Sequence, residues 1–160
     1  MSTAGERAGI TIEAVDARSD EARGLVASYI SEITKTFGYD TTRAVPVTDE
    51  DFDPPVGRFL VVRNDNDVAV GCGAVRLLGP DTAEVKRMWV SPTIRGHGAG
   101  WALLEALEAA AVELGATTGV LDTNVMLTSA RALYRAAGWE EVPAYNENPQ
   151  ATHWFRKALV

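Results

Sequence analysis

The residues with the clearest chemical potential are six in a row, Arg95-Gly96-His97-Gly98-Ala99-Gly100. They fall between a strand-like run and a helix-like run. Glycine lets the backbone take positive φ and approach a ligand closely. The first turn of the helix that follows offers unpaired N–H groups and the positive end of its dipole. Together these form an anion site suited to phosphates, and Arg95 adds a fixed cation with paired donors. The nucleotide-hydrolase loop is excluded, because its Gly-Lys-Ser/Thr ending is replaced by Gly100-Trp101. The dinucleotide fingerprint stays open. Gly96 and Gly98 fit it and Asp122 lies at a ribose-binding distance, but Trp101 stands where the third glycine belongs. A glycine-punctuated helix entry without a ligand is the plain alternative.

Two longer stretches carry a family resemblance. Glu84-Val85-Lys86-Arg87-Met88-Trp89-Val90-Ser91-Pro92, followed by Arg95 to Leu104, resembles the acetyl-CoA site of the GNAT N-acetyltransferase superfamily, with Arg95, Gly98 and Gly100 on its Arg/Gln-x-x-Gly-x-Gly/Ala signature. Ala130-Arg131-Ala132-Leu133-Tyr134-Arg135-Ala136-Ala137-Gly138-Trp139 is similar to the family's A-x-x-L-Y-x-x-x-G-aromatic segment. The order of elements matches from about Ile10 to the end. The family often has an asparagine seven residues before the tyrosine. That position is Leu127 here, and Asn124, three residues earlier, is the candidate replacement.

The resemblance implies a mixed, mostly antiparallel sheet flanked by helices, an α/β (α+β) fold splayed open at the acetyl-CoA site. It implies pantetheine along Met88, Trp89 and Val90, and pyrophosphate on Gly96, His97, Gly98, Ala99 and Gly100. Lys86, Arg87 and Arg95 would give an acidic protein a local basic patch. The reaction implied is direct attack of an amine on the thioester in a ternary complex. An alkylamine titrates at about 10.4, so at neutral pH something must take a proton from it. Glu84 is the candidate base, and period-two alternation sets it on the face of Met88. Tyr134 is the candidate acid for the leaving thiolate, and the Val90 N–H the candidate oxyanion donor. Tyr29, Trp89, Tyr145 and the acidic cluster at 49–53 are candidates for meeting the acceptor, since aromatic and acidic groups suit an amine cation. His153 fits either the core or the acceptor pocket.

These groups must be held by the surrounding elements. Ile10 to Val15 alternates as a strand. Ser19 or Asp20 caps an amphipathic helix over about Asp20 to Phe37, which Gly38 stops. Tyr39 to Val56, with Pro46, Pro54, Pro55 and the acidic cluster, reads as a long loop or loosely helical lid. Phe59–Arg63, Val68–Leu77 and Ala83–Val90 form a meander, its turns marked by Asn64-Asp65-Asn66-Asp67 and Gly79-Pro80-Asp81. A helix from about Gly98 to Leu114 follows, then a strand at Gly119–Thr123. A helix capped by Thr128 or Ser129 comes next, and closing strands lie at Trp139–Val142 and Thr152–Ala158.

Composition sets the outer limits. The 160 residues carry 15 basic and 22 acidic side chains, a net charge of −7. That suits one domain, expected over 10–160 behind a disordered start at 1–9. The acidic balance argues against a nucleic-acid binder. No stretch is long and apolar enough for a bilayer, and the N-terminus lacks a secretory pattern, so the expected location is cytoplasmic with no membrane partner. The single cysteine, Cys72, excludes an internal disulfide, and with His97 and His153 it offers too few ligands for a cysteine-based zinc site, so no metal is expected. Cys72 reads as a small buried thiol. The expected function is acetyl-CoA-dependent N-acetyl transfer to a primary amine on a small molecule, amino acid or peptide, with a homodimer possible. A catalytically weak acyl-CoA-binding sensor and a dinucleotide-dependent oxidoreductase are the alternatives.

Overall fold

The protein is described from a computed structural model covering residues 9–38 and 48–160. Residues 1–8 of the expected disordered start and residues 39–47 of the expected lid lie outside the described residues. Strands are β1 (Ile10–Val15), β2 (Gly57–Asn64), β3 (Ala69–Leu77), β4 (Thr82–Val90), β5 (Thr118–Thr123), β6 (Glu140–Val142) and β7 (His153–Ala158). Helices are α1 (Asp20–Phe37), α2 (Ala99–Glu113) and α3 (Thr128–Ala136), with 3-10 turns at Asp49–Phe52 and Pro92–Ile94.

Among the described residues, seven strands form one sheet in the order β1-β2-β3-β4-β5-β7-β6. The β4–β5 pair is parallel and the other pairs are antiparallel. A dinucleotide fold needs a mainly parallel sheet with helical crossovers, so the oxidoreductase alternative falls on topology.

Local chemistry explains the boundaries. Ser19 caps α1 by accepting from the Ala22 N–H at 3.1 Å, and the Gly38 N–H closes the last turn on the Thr34 carbonyl at 2.9 Å. At α3 the expected cap fails. Leu127 occupies the capping position with no side-chain bond, and the hydroxyls of Thr128 and Ser129 fall inside the helix. The loop before α3 is fastened by Asn124 instead, whose Oδ1 accepts from the Met126 N–H at 2.9 Å.

The core has two parts, one on each face of the sheet. Leu103, Leu104, Leu107 and Tyr134 from α2 and α3 pack on Leu60, Val62, Val75, Val85 and Phe155. On the other face Ala22 and Leu25 of α1 and Phe52 pack on Phe59, Val61, Cys72 and Ala74. Phe52 is 2% exposed, and its burial contributes roughly 1.5–3 kcal/mol to holding its turn on the sheet. The acidic stretch at 49–53 is therefore docked and not loose. Its three aspartates are taken by arginines: Asp53 by Arg18, Asp49 by Arg23 and Arg87, and Asp51 by Arg76. This corrects the expectation that the cluster waits for an amine cation.

Candidate active site

Two departures from regular sheet geometry build the site. The first is a bulge in β4. Cys72 pairs with Trp89 and Ala74 with Lys86, so Gly73 faces two residues, Arg87 and Met88. Arg87 takes the strain, at φ 53. The extra residue shifts the alternation. Glu84 and Lys86 share their face with Trp89, while Met88 and Val90 turn to the α2/α3 face. The expectation that Glu84 and Met88 share a face is overturned by this one inserted residue.

The second departure is a fork. β4 and β5 pair only over Thr82–Thr118, Ala83–Gly119 and Glu84–Val120, and both strands then continue apart. Beyond Glu84 their facing backbone groups are unpaired with each other. The Ser91 N–H donates to Val70 on β3 at 2.7 Å. By alternation the Val90 N–H points the other way, toward the fork.

Glu84 stands at the vertex, 1% exposed. Its Oε1 accepts from Arg76 Nε at 2.9 Å and its Oε2 from the Tyr145 hydroxyl at 2.6 Å, while Lys86 Nζ lies 3.6 Å from Oε2. Lys86 is also 3.5 Å from Asp122 on the β5 arm. Tyr134 enters from α3, its ring against Phe155 and Trp139 and its hydroxyl 3.9 Å from Met88 Sδ. Burial pushes its phenol pKa up, with the Asp122 charge adding to the shift, so it stays protonated and able to donate. The Tyr29 phenol of α1 is also raised, by burial first and then by the Tyr134 and Asp122 charges.

The glycine loop caps the open end. Gly96 and Gly98 have φ of 83 and 82, and a Cβ on either would meet nothing within 4 Å. Gly98 is the N-cap of α2 and no side chain caps that helix. The first N–H groups of α2, around Ala99 and Gly100, thus have no side-chain cap at the positive end of the helix. The His97 side chain is exposed. This cradle fits a pyrophosphate.

Other expected residues are engaged elsewhere. One Nη of Arg95 donates to both oxygens of Glu32 on α1, at 2.8 and 2.7 Å, and its Nε to the Val90 carbonyl at 2.8 Å. Trp89 Nε1 reaches the same Glu32 at 3.3 Å. Lys86, Arg87 and Arg95 are all ion-paired, so the expected basic patch is not an open surface. Asn124 Nδ2 donates to the Gln150 carbonyl at 2.8 Å, so both ends of its amide are committed to loop structure. His153 is half-buried and its Nδ1 shares a bond with Thr152. Cys72 is fully buried, with its thiol pKa pushed up to about 12 by desolvation. Among the described residues no group of three His, Cys, Asp or Glu is arranged to hold a metal, and no helix is long and apolar enough to cross a membrane.

The sequence reading missed Arg76 and Glu32, and it named Asn146 only within the Tyr145-Asn146-Glu147-Asn148 stretch expected to meet the acceptor. Arg76 was open to discovery, since counting outward from Pro80 at the centre of the turn pairs it with Glu84. Glu32 reaches Arg95 across 63 residues and no local signal marks it, and the bond of Asn146 to Asp122, across 24 residues, was equally hidden.

The family model described as Acetyltransferase (GNAT) family matches residues 26–139. The chain belongs to the GNAT acetyltransferase family. An uncharacterized N-acetyltransferase of Schizosaccharomyces pombe is 35% identical over 137 residues, covering 81% of each chain. A solved structure from Klebsiella pneumoniae, described as an acyl-CoA N-acyltransferase, superposes with a TM-score of 0.77 at 29% identity, over 94% of this chain and 98% of that one. A GNAT acetyltransferase from Elizabethkingia anophelis, solved with acetyl-CoA bound, shares the fold with a TM-score of 0.65 at 15% identity, over 95% of this chain and 99% of that one. This GNAT protein is an acyltransferase of the N-acetyltransferase kind, and its family uses acetyl-CoA with amine acceptors.

Proposed function

We propose that this GNAT protein acetylates a primary amine of a small molecule, amino acid or peptide, by direct attack inside a ternary complex at the fork. The observation that carries this reading is the fork itself, with Glu84 at its vertex, Tyr134 beside it and the glycine cradle at its mouth. Bound acetyl-CoA supplies the activated acyl carbon and a thiolate leaving group.

The chain's own residues do the rest. Gly96 to Gly100 bind the pyrophosphate through backbone N–H groups and the dipole of α2. Met88 to Val90 line the pantetheine. Arg95 orients this stretch by holding the Val90 carbonyl and tying the loop to α1 through Glu32. The Val90 N–H, directed into the fork, stabilises negative charge developing on the acyl oxygen. Glu84 receives a proton from the acceptor ammonium, which frees its lone pair. Tyr134, kept neutral by burial, donates to the departing sulfur. Tyr29, Trp89 and Tyr145 lie on the acceptor side. The catalytic unit is the single span 10–160, acting in the cytoplasm.

Calorimetric titration with acetyl-CoA, with NAD as control, tests the reading. Micromolar binding of acetyl-CoA alone supports it and licenses a screen of amines by thiol release. Absence of acetyl-CoA binding overturns it.

A further inference from the structure

We infer that Tyr145 is the route by which protons reach Glu84, a relay between the acceptor amine and a base that solvent does not touch. The inference rests on the acetyl-transfer reading above and adds a residue to it.

Glu84 is 1% exposed, so a proton must come to it through a neighbour. Its polar neighbours among the described residues are Arg76 on β3, Lys86 on its own strand and Tyr145, with Asp51 behind Arg76 and Asp122 behind Lys86. Arginine stays protonated and only donates, and an ammonium also only donates. A hydroxyl both donates and accepts. Tyr145 alone among the three can accept one proton as it passes on another. Its hydroxyl is 2.6 Å from Glu84 Oε2, a short charge-assisted bond already aligned for transfer.

The placement of Tyr145 is built into the fold. It lies in the segment 143–152 that joins β6 to β7. The next residue, Asn146, donates to Asp122 Oδ2 at 2.7 Å and accepts from Trp154 Nε1 at 2.9 Å and from the Asn148 N–H at 3.2 Å. Two consecutive side chains therefore grip the carboxylates on the two arms of the fork, Glu84 on β4 and Asp122 on β5. Burial and the Glu84 charge push the Tyr145 phenol pKa well up, so the relay is neutral when the acceptor arrives.

The step balances. One ammonium N–H bond breaks and its proton bonds to Tyr145 Oη, while the proton of Tyr145 bonds to Glu84 Oε2. The freed nitrogen pair forms the C–N bond, and the electrons of the C–S bond leave on sulfur. The second nitrogen proton passes to the Tyr134 phenolate left when Tyr134 protonates that sulfur, so Tyr134 ends neutral. Glu84 returns its proton to solvent through Tyr145 when the product leaves.

Tyr145→Phe keeps the ring and removes the relay. The acceptor probe is whichever of the free L-amino acids, n-butylamine or spermidine gives the fastest thiol release with the native protein. At neutral pH the variant should lose about 100-fold in kcat, with acetyl-CoA affinity by calorimetry unchanged. The loss should shrink as pH approaches the amine's own pKa of about 10.4, where the acceptor arrives already deprotonated. Glu84→Gln should show the same profile, and the double variant should be no worse than either single one. Asn146→Ala, which loosens Tyr145 but leaves its hydroxyl, should give a smaller loss of the same pH form. Near-native turnover of Tyr145→Phe beside a crippled Glu84→Gln overturns the relay and leaves the base in place. A pH-independent loss accompanied by weakened acetyl-CoA binding makes Tyr145 a packing residue and also overturns it. Native turnover of Glu84→Gln removes the base, and thiol release with none of these amines removes the acetyl-transfer reading, each taking the relay with it.

Discussion

Glu84 and Tyr134 approach the fork from opposite faces of the sheet, and their surroundings differ in kind. Glu84 sits among cations and hydroxyls, whereas Tyr134 sits among aromatic rings with a thioether at its hydroxyl. A carboxylate stabilised by cations suits proton acceptance and release. A phenol in an apolar setting stays neutral and can donate to a leaving thiolate beside it, whose own charge the same apolar setting disfavours. Tyr134→Phe should therefore lower kcat by about 100-fold with little change in the acetyl-CoA dissociation constant, measured by steady-state thiol release and calorimetry. Gly98→Val should act the other way round. Its φ of 82 is costly for a β-branched residue, and its side chain would occupy the open space over the cradle. Acetyl-CoA affinity should drop at least about tenfold, the equivalent of 1.4 kcal/mol, read by the same calorimetry.

The elements depend on one close approach. A Cβ on Gly57 would stand 2.2 Å from the Asp51 carbonyl oxygen and 2.5 Å from Phe52 Cα. Neither backbone atom can yield without the 3-10 turn lifting off β2. Gly57→Ala should destabilise the protein by about 1–3 kcal/mol in urea unfolding, and it should loosen the Asp51–Arg76 pair that backs Glu84. Much of this scale was legible in the sequence. Periodicity located α1 at Asp20–Phe37, and turn residues located the meander, because spacing and turn chemistry are local properties. The bulge at Arg87 was not legible. It depends on β4 having to meet both β3 and the start of the glycine loop, and nothing in Lys86-Arg87-Met88 itself asks for an extra residue. The Tyr145–Glu84 bond spans 61 residues and exists only once the 143–152 segment has folded over the fork. Charged side chains were misjudged for a related reason. Sequence shows that Arg95, Lys86 and Asp49 are charged, but only the fold shows that each is already paired.

Across the molecule, α1 is fastened to the sheet by charge as well as by its apolar stripe. Arg63 on β2 binds Glu13 of β1 at 2.7 Å and grips both oxygens of Glu21 on α1. The Arg63 guanidinium holds the Glu21 carboxyl below its ordinary value of 4.5. A carboxyl depressed in the folded state stabilises the fold above its unfolded pKa, and that contribution is lost as pH falls through the folded value. Glu21 is more than a third exposed, so the pair contributes about 1 kcal/mol or less at neutral pH. Glu21→Gln should be less stable than the native protein by that amount at pH 7, and the gap should close in acid, as read by urea midpoints across pH. The fork has a mechanical consequence at this same scale. Three residue pairs are all the strand pairing that joins β1–β4 to the β5-β7-β6 ladder, so the sheet is two plates on a short hinge. Beyond the hinge they are joined by the Lys86–Asp122 and Tyr145–Glu84 contacts on one face and by the shared core under α2 and α3 on the other. Amide hydrogens of β5, β6 and β7 should exchange together as one block, ahead of the β2–β3 centre. A ligand seated between the plates should slow that block more than any other part of the chain.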